Sequence, residues 1–159
     1  MNEKETLMRR KDKEIAERKL IDSVISRSQV CHIGLCDEGH AYIVPMSFGY
    51  DGQNIYLHCA REGRKIDILK KNTEVCFEFE TDCEVKKSDK GCSFTMRYRS
   101  VMGTGKAILV EETEAKRRAL EIIMKQYDEG RYSFADEALD KILIIVIDII
   151  EMTGKKSGY

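Results

Sequence analysis

Long apolar runs are missing from this chain. The longest, Ile142 to Ile147, resumes after Asp148 with only Ile149 and Ile150, far short of the ~20 residues that cross a bilayer as a helix. The N-terminal segment carries Lys4, Arg9, Arg10, Lys11 and Lys13 among acids and lacks the apolar stretch of a secretory leader. A cytoplasmic protein with no membrane attachment is therefore expected. Charge of one sign is missing too. The 27 basic residues against 28 acidic ones give a formal net charge of -1, so no basic field gathers phosphates along a nucleic acid, and DNA or RNA is not an expected partner. The six cysteines, Cys31, Cys36, Cys59, Cys76, Cys83 and Cys92, include no Cys-x2-Cys knuckle. That spacing argues against zinc, and no metal site is expected. Without a secretory context it also argues against a disulfide framework. Cys31, Cys59 and Cys76 sit in apolar runs and read as small hydrophobes. No Gly-x-Gly-x-x-Gly is present, so no Rossmann nucleotide site is expected. Proline occurs once, at Pro45.

What is present describes one soluble domain over residues 1–159, with 1–27 as an N-terminal arm and helix; apolar residues make up 42% and charged residues 35%. Asp12 followed by Ile15, Leu20, Ile21, Val24 and Ile25 predicts a capped helix over 13–27. Residues 30–36 predict a strand that ends in a turn at Asp37-Glu38-Gly39. Over 41–50 the residues alternate: Tyr42, Val44, Met46, Phe48 and Tyr50 point one way, with Ile43, Pro45 and Ser47 opposite. This is a strand, and Pro45 requires that one side of it lack a partner or bulge. Asp51-Gly52 turns the chain into a return strand at 55–59.

A short helix is predicted over 61–71, a strand over 75–79, a polar loop over 82–91 and a long strand over 94–110. Gly103 and Gly105 mark a bulge or sharp bend in that long strand. A helix over 112–127 and a strand over 142–150, buried on both faces, complete the pattern. Antiparallel connections of this kind favour a small closed barrel with helices packed outside, a mainly β (α+β) fold.

The stretch from Tyr56 to Lys65 carries the clearest chemistry. A strand ends, the chain turns, and a helix opens on Gly63, Arg64 and Lys65. Free N–H groups and the helix dipole favour an anion at such a point. Arg64 adds a bidentate fork and Lys65 a point charge, which makes a phosphate a natural ligand; the plain alternative is a pair of solvated charges.

Three segments carry a resemblance: Met8-Arg9-Arg10-Lys11-Asp12-Lys13-Glu14-Ile15, Tyr42-Ile43-Val44-Pro45-Met46-Ser47-Phe48-Gly49-Tyr50, and Ile55-Tyr56-Leu57-His58-Cys59-Ala60 followed by Gly63-Arg64-Lys65. Tyr98-Arg99-Ser100-Val101 with Gly103 and Gly105 is a fourth, and Thr153-Gly154-Lys155-Lys156 a weaker fifth. In this order they resemble the pyridoxamine 5′-phosphate oxidase-like flavoproteins, most closely their nitroimidazole-resistance branch. The resemblance implies a split β-barrel that binds flavin mononucleotide (FMN) at a homodimer interface. Val44, Pro45, Met46 and Ser47 would line the isoalloxazine ring, largely through backbone groups. His58 and Cys59 would lie beside the ribityl chain or ring edge, Arg64 and Lys65 would hold the phosphate, and Ser100 and Val101 would approach from the partner subunit. The oxidase's C-terminal substrate segment, with its tryptophan and arginine, has no counterpart here, and the chain contains no tryptophan.

His58 is the one catalytic candidate, a hydrogen-bond donor or acid beside the flavin, because histidine titrates near neutral pH; otherwise it is a strand-end histidine satisfied by backbone. His32 and His40 read as surface or packing residues, Tyr98 as core or else as a residue that stacks on or bonds near the ring, and Arg97 and Arg99 as facing solvent. The first functional expectation is an FMN-dependent oxidoreductase that takes electrons from a transiently bound reduced nicotinamide and passes them to a small acceptor such as a nitro-aromatic. The second is a non-enzymatic FMN- or haem-binding module with His58 as sensor or axial ligand. A cysteine-based metal sensor is the third, and the spacing argues against it.

Overall fold

The computed structural model describes residues 9–159; positions 1–8, including Lys4 and the first residue of the N-terminal signature, Met8, lie outside the described residues. Residues 11–13 form a single 3-10 turn, and β1 (Glu14–Ile15) pairs with Lys155 and Gly154. Then come α1 (Arg18–Arg27), β2 (Cys31–Asp37), β3 (His40–Met46), β4 (Phe48–Tyr50), β5 (Asn54–Ala60) and α2 (Arg64–Lys71). The second half consists of β6 (Glu74–Lys86), β7 (Thr95–Val110), α3 (Thr113–Tyr127), the short α4 (Asp136–Leu139) and β8 (Ile142–Ser157), with a 3-10 turn at Gly91–Ser93 before β7. The helix expected over 13–27 begins only at Arg18. Ile15 is buried by strand pairing instead, and Asp12 is bound to Arg10 rather than capping.

Every pairing is antiparallel, and the strands run in the order β3-β2-β6-β7-β8-β5-β4. The segment over 41–50 alternates as its sequence requires, but it serves both edges of the sheet. Through Met46 it pairs with β2; from Phe48 it pairs with β5. The chain thus passes from one edge to the other through Ser47 alone, closing the barrel covalently and leaving it split between β3 and β5. At this break the Phe48 N–H donates to the Tyr127 hydroxyl (2.9 Å), which itself donates to the Gln29 carbonyl (2.9 Å). Pro45 sits on an edge strand, where its missing donor interrupts no second ladder.

Apolar burial explains the rest. Phe48, Phe77 and Phe79 fill the barrel, with the Phe48 and Phe79 rings 4.7 Å apart, and Ile21, Val24 and Ile25 of α1 add to the same core. The first part of β8 is buried on both faces: Leu143, Ile145 and Ile147 belong to the barrel core, and Ile144 packs with Ala119 and Ile123 of α3. Past Asp148 the strand continues with one face open, and Ile150 is 63% exposed. Gly49 lets α3 approach: a Cβ there would stand 2.6 Å from the Ile123 nitrogen.

One correction concerns polar sequence. The segment over 82–91 was expected as a loop, but β6 continues to Lys86, past a shift in register between Thr81 and Glu84 where Asp82 takes a φ of 56°. Opposite charges pair across the strands there, Arg99 with Asp82 at 2.6 Å and Arg97 with Glu84 at 3.1 Å, and they stabilise a ladder whose residues lack apolar alternation. The glycines of β7 do mark an irregularity, but the extra residue is in the facing strand: Thr104 and Gly105 pair with Glu151 and Ile149, and Ile150 of β8 is the one bulged out.

Candidate functional site

The site grows from the turn between β5 and α2. Ile66, Ile68 and Leu69 anchor α2 on the barrel, and Gly63, at φ 127°, turns the chain into it. No side chain caps this helix. The Ile66 and Asp67 N–H groups bond to the Gly63 carbonyl at 2.8 and 3.1 Å, which leaves the Arg64 and Lys65 N–H groups pointing out of the first turn. A Cβ at Gly63 would meet nothing within 4 Å. An uncapped positive helix end therefore opens on free space, flanked by two cationic side chains.

Long-range contacts set those cations. The Arg64 guanidinium lies over the Tyr42 ring, 4.6 Å from its centroid, and 3.9 Å from a carboxylate oxygen of Asp37. Lys65 is half-buried near Cys59, whose thiol is pushed up by burial and drawn back in part by the Lys65 charge. Cys59 faces the barrel core, while His58, opposite Ile144, is exposed on the outer side.

Beyond Leu57, β5 has no partner on the β4 side, because β4 begins at Phe48. The end of β5 and the outer edge of β3 therefore border the split in the barrel, with the first turn of α2 above Tyr42. Val44 and Met46 point inward and are half-buried; Pro45 and Ser47 point outward and are exposed. The unpaired outer edge of β3, the strand end at His58 and Cys59, and the cations of α2 beside Tyr42 all border this split.

Ser100 and Val101 stand apart. Val101 is fully buried in the core, and Ser100 pairs with Glu80 and Lys155. Glu80 lies beyond the His32–Glu78 pair of the β2–β6 ladder, whereas Asp37 lies beyond the opposite end, past Gly34–Cys76. One chain thus sets eight of the ten expected site residues along β3, the end of β5 and the start of α2, and leaves Ser100 and Val101 on β7, at the end of the barrel away from Arg64.

Elsewhere the structure corrects single residues. Cys76 is exposed: Val75, Phe77 and Phe79 take the inward positions of β6, and alternation turns Cys76 out. Arg97 and Arg99 do not simply face solvent but lie over the Tyr159 ring at 4.1 and 3.9 Å. Tyr98 is half-buried under Lys155 rather than in the core. His32 sits on the surface against Glu78 (3.1 Å), whose carboxyl is raised mainly by burial. Asp37 and Tyr42 are the site neighbours that sequence reading missed; the adjacency of the turn at 37–39 to the strand motif was the only signal. No cluster of His, Cys, Asp or Glu suited to a metal ion occurs among the described residues, and no helix there is long and apolar enough to cross a membrane.

Comparison with known proteins follows this geometry. A crystal structure of a candidate 5-nitroimidazole antibiotic resistance protein from Bacteroides thetaiotaomicron is 37% identical, covers 90% of this chain and 86% of its own, and superposes with a TM-score of 0.81. The fold is shared at 18% identity with an FAD- and haem-binding protein from Mycobacterium smegmatis (TM-score 0.83; 92% of this chain, 74% of that one). It is shared at the same identity with the flavocytochrome Anf3 from Azotobacter vinelandii (TM-score 0.79; 96% and 73%). Comparison with curated proteins gives no match. The family model described as pyridoxamine 5′-phosphate oxidase matches residues 17–156, and the chain, a split β-barrel, belongs to that family.

Proposed function

We propose that this protein is an FMN-binding flavoprotein, active as a homodimer, that moves electrons from a reduced nicotinamide to a small acceptor such as a nitro-aromatic. The observation that carries the reading is the uncapped, open N-terminus of α2 with Arg64 and Lys65, set beside an unpaired strand edge. The fit is chemical. A phosphate needs free N–H groups and cations, and both are present above Gly63. A flat heterocycle needs backbone donors and acceptors along one line, and the outer edge of β3 offers them from Val44 to Ser47, with Pro45 lacking only a donor. Bound FMN would supply the electron transfer itself, accepting two electrons and passing them on.

The chain's own residues bind and orient. Arg64 and Lys65 hold the phosphate, Val44, Pro45, Met46 and Ser47 fix the ring plane through backbone groups, and Cys59 packs beneath. His58, exposed at the strand end, is the group able to donate a proton near the ring. Ser100 would complete the site from a second copy, with Val101, buried in the core, contributing only through its backbone, since within one chain both stand at the end of the barrel away from Arg64. The outer sheet face that bears Ser100 also exposes Met102 (59%), and Ile150 (63%) and Ile43 (68%) line a depression of about 520 Å³, the sort of apolar surface that subunit contacts cover. The nitro-aromatic acceptor is suggested by the name of the Bacteroides protein.

The test is to load purified protein with FMN, measure its mass in solution by light scattering, and follow oxidation of a reduced nicotinamide with and without a nitro-aromatic. Dimeric protein whose nicotinamide oxidation depends on the acceptor agrees with the reading. A flavin-loaded protein that oxidises no nicotinamide would leave a binding module, not an enzyme.

A further inference from the structure

We infer that Tyr42 and Asp37 preset Arg64 for the phosphate of the ligand: Tyr42 as the platform that fixes its guanidinium, Asp37 as the counter-ion it leaves when the phosphate arrives. The inference rests on the phosphate site proposed above. Arg64 is half-exposed, with 57% of its side chain accessible, and a free arginine in that setting samples many rotamers whose entropy a ligand must remove. Here it is held. Its guanidinium lies 4.6 Å from the centroid of the Tyr42 ring, and Asp37 stands 3.9 Å away.

Both neighbours belong to the β2–β3 hairpin. Asp37 pairs with His40 across a two-residue turn, in which Glu38 and Gly39 take φ of 51° and 89°. The hairpin tip is tied to both ends of α2, through Asp37–Arg64 at the start and Glu38–Lys71 (3.5 Å) at the finish. Tyr42 also packs against the barrel core, so its ring is a rigid surface. A guanidinium held over a ring face is oriented by it while its N–H groups stay free for an anion. Asp37 acts in the other direction: its carboxylate competes with a phosphate for the same fork and repels it.

The two roles predict opposite effects, and riboflavin, which has the ring but no phosphate, separates them from any change in ring contacts. Tyr42→Leu keeps apolar packing but removes the π face; it should weaken FMN binding about two- to fivefold, the size of an exposed cation–π contact. Tyr42→Phe should restore wild-type affinity. Asp37→Asn should tighten FMN binding by a similar factor, with the gain shrinking as salt is added. Riboflavin affinity should be unchanged in all three variants. Equal loss of riboflavin and FMN in Tyr42→Leu, or weaker FMN binding in Asp37→Asn, overturns the inference. Wild-type protein that binds FMN no better than riboflavin overturns the phosphate site itself, a separate failure.

Discussion

Replacing Arg64 and Lys65 together by alanine removes both cations from the first turn of α2 while leaving its backbone and its buried face, Ile66, Ile68 and Leu69, in place. A hydrogen bond to a charged group contributes about 1.5–3 kcal/mol. Arg64 is half-exposed and Lys65 half-buried, so solvent screening puts each near or below the lower end of that range, and the pair together at about 2–3 kcal/mol. That corresponds to a loss of roughly 30- to 150-fold in FMN affinity. Riboflavin affinity should change little, because the lost contacts are to phosphate. Melting temperature should also hold, since neither side chain belongs to the core. Fluorescence quenching of FMN on titration with protein gives the dissociation constant, and the single variants divide the loss. Rising salt should weaken wild-type binding and scarcely affect the double variant. A folded double variant that binds FMN as tightly as wild type would refute the phosphate assignment, and with it the reading of the α2 N-terminus.

Other predictions test the frame around the site. Gly49→Ala would place a Cβ 2.6 Å from the Ile123 nitrogen and force α3 off the barrel, at about 3 kcal/mol, or roughly 6–12 °C in melting temperature; an unchanged melting curve would mean that α3 is not seated there. Tyr127→Phe removes the acceptor of the Phe48 N–H and the donor to Gln29, which should cost about 1–3 kcal/mol in urea denaturation. Tyr50 and Tyr56 are each pushed up to about 12, first by burial and then by their bonds to Asp22 and Asp51. Their folded values lie above the ordinary value near 10, so their contribution is complete below about pH 10 and is lost as pH rises from about 10 to 12. Urea midpoints should therefore fall across that window, and Tyr50→Phe should flatten the fall.

The sequence was legible wherever one face of an element was buried. Alternation over 41–50 and at 55–59 placed β3, β4 and β5, and the turn residues at 37–39 and 51–52 placed their hairpins. It was less legible where charge replaced apolar alternation. The end of β6 is held by Arg97, Arg99, Glu84 and Asp82, and cross-strand ion pairs leave no periodic trace in a single segment. Cys76 was misread for a related reason: an apolar run suggests burial on both sides, yet only Val75, Phe77 and Phe79 turn inward. At the site, the local signal of Gly63-Arg64-Lys65 was strong because a helix start is a local event. Asp37 and Tyr42 come to Arg64 only through the docking of the β2–β3 hairpin on α2, and the separation of Ser100 from Arg64 follows from strand order. Neither can be read from spacing along the chain.

The most direct test of the central claim is a visible absorption spectrum of the purified protein before and after incubation with FMN and desalting. Flavin bands retained at one per chain are the predicted result, and the same sample of the Arg64 and Lys65 double variant should lose them on the column. A protein that stays colourless after FMN loading would contradict the account: the barrel would then be a member of its family whose seam no longer holds the cofactor.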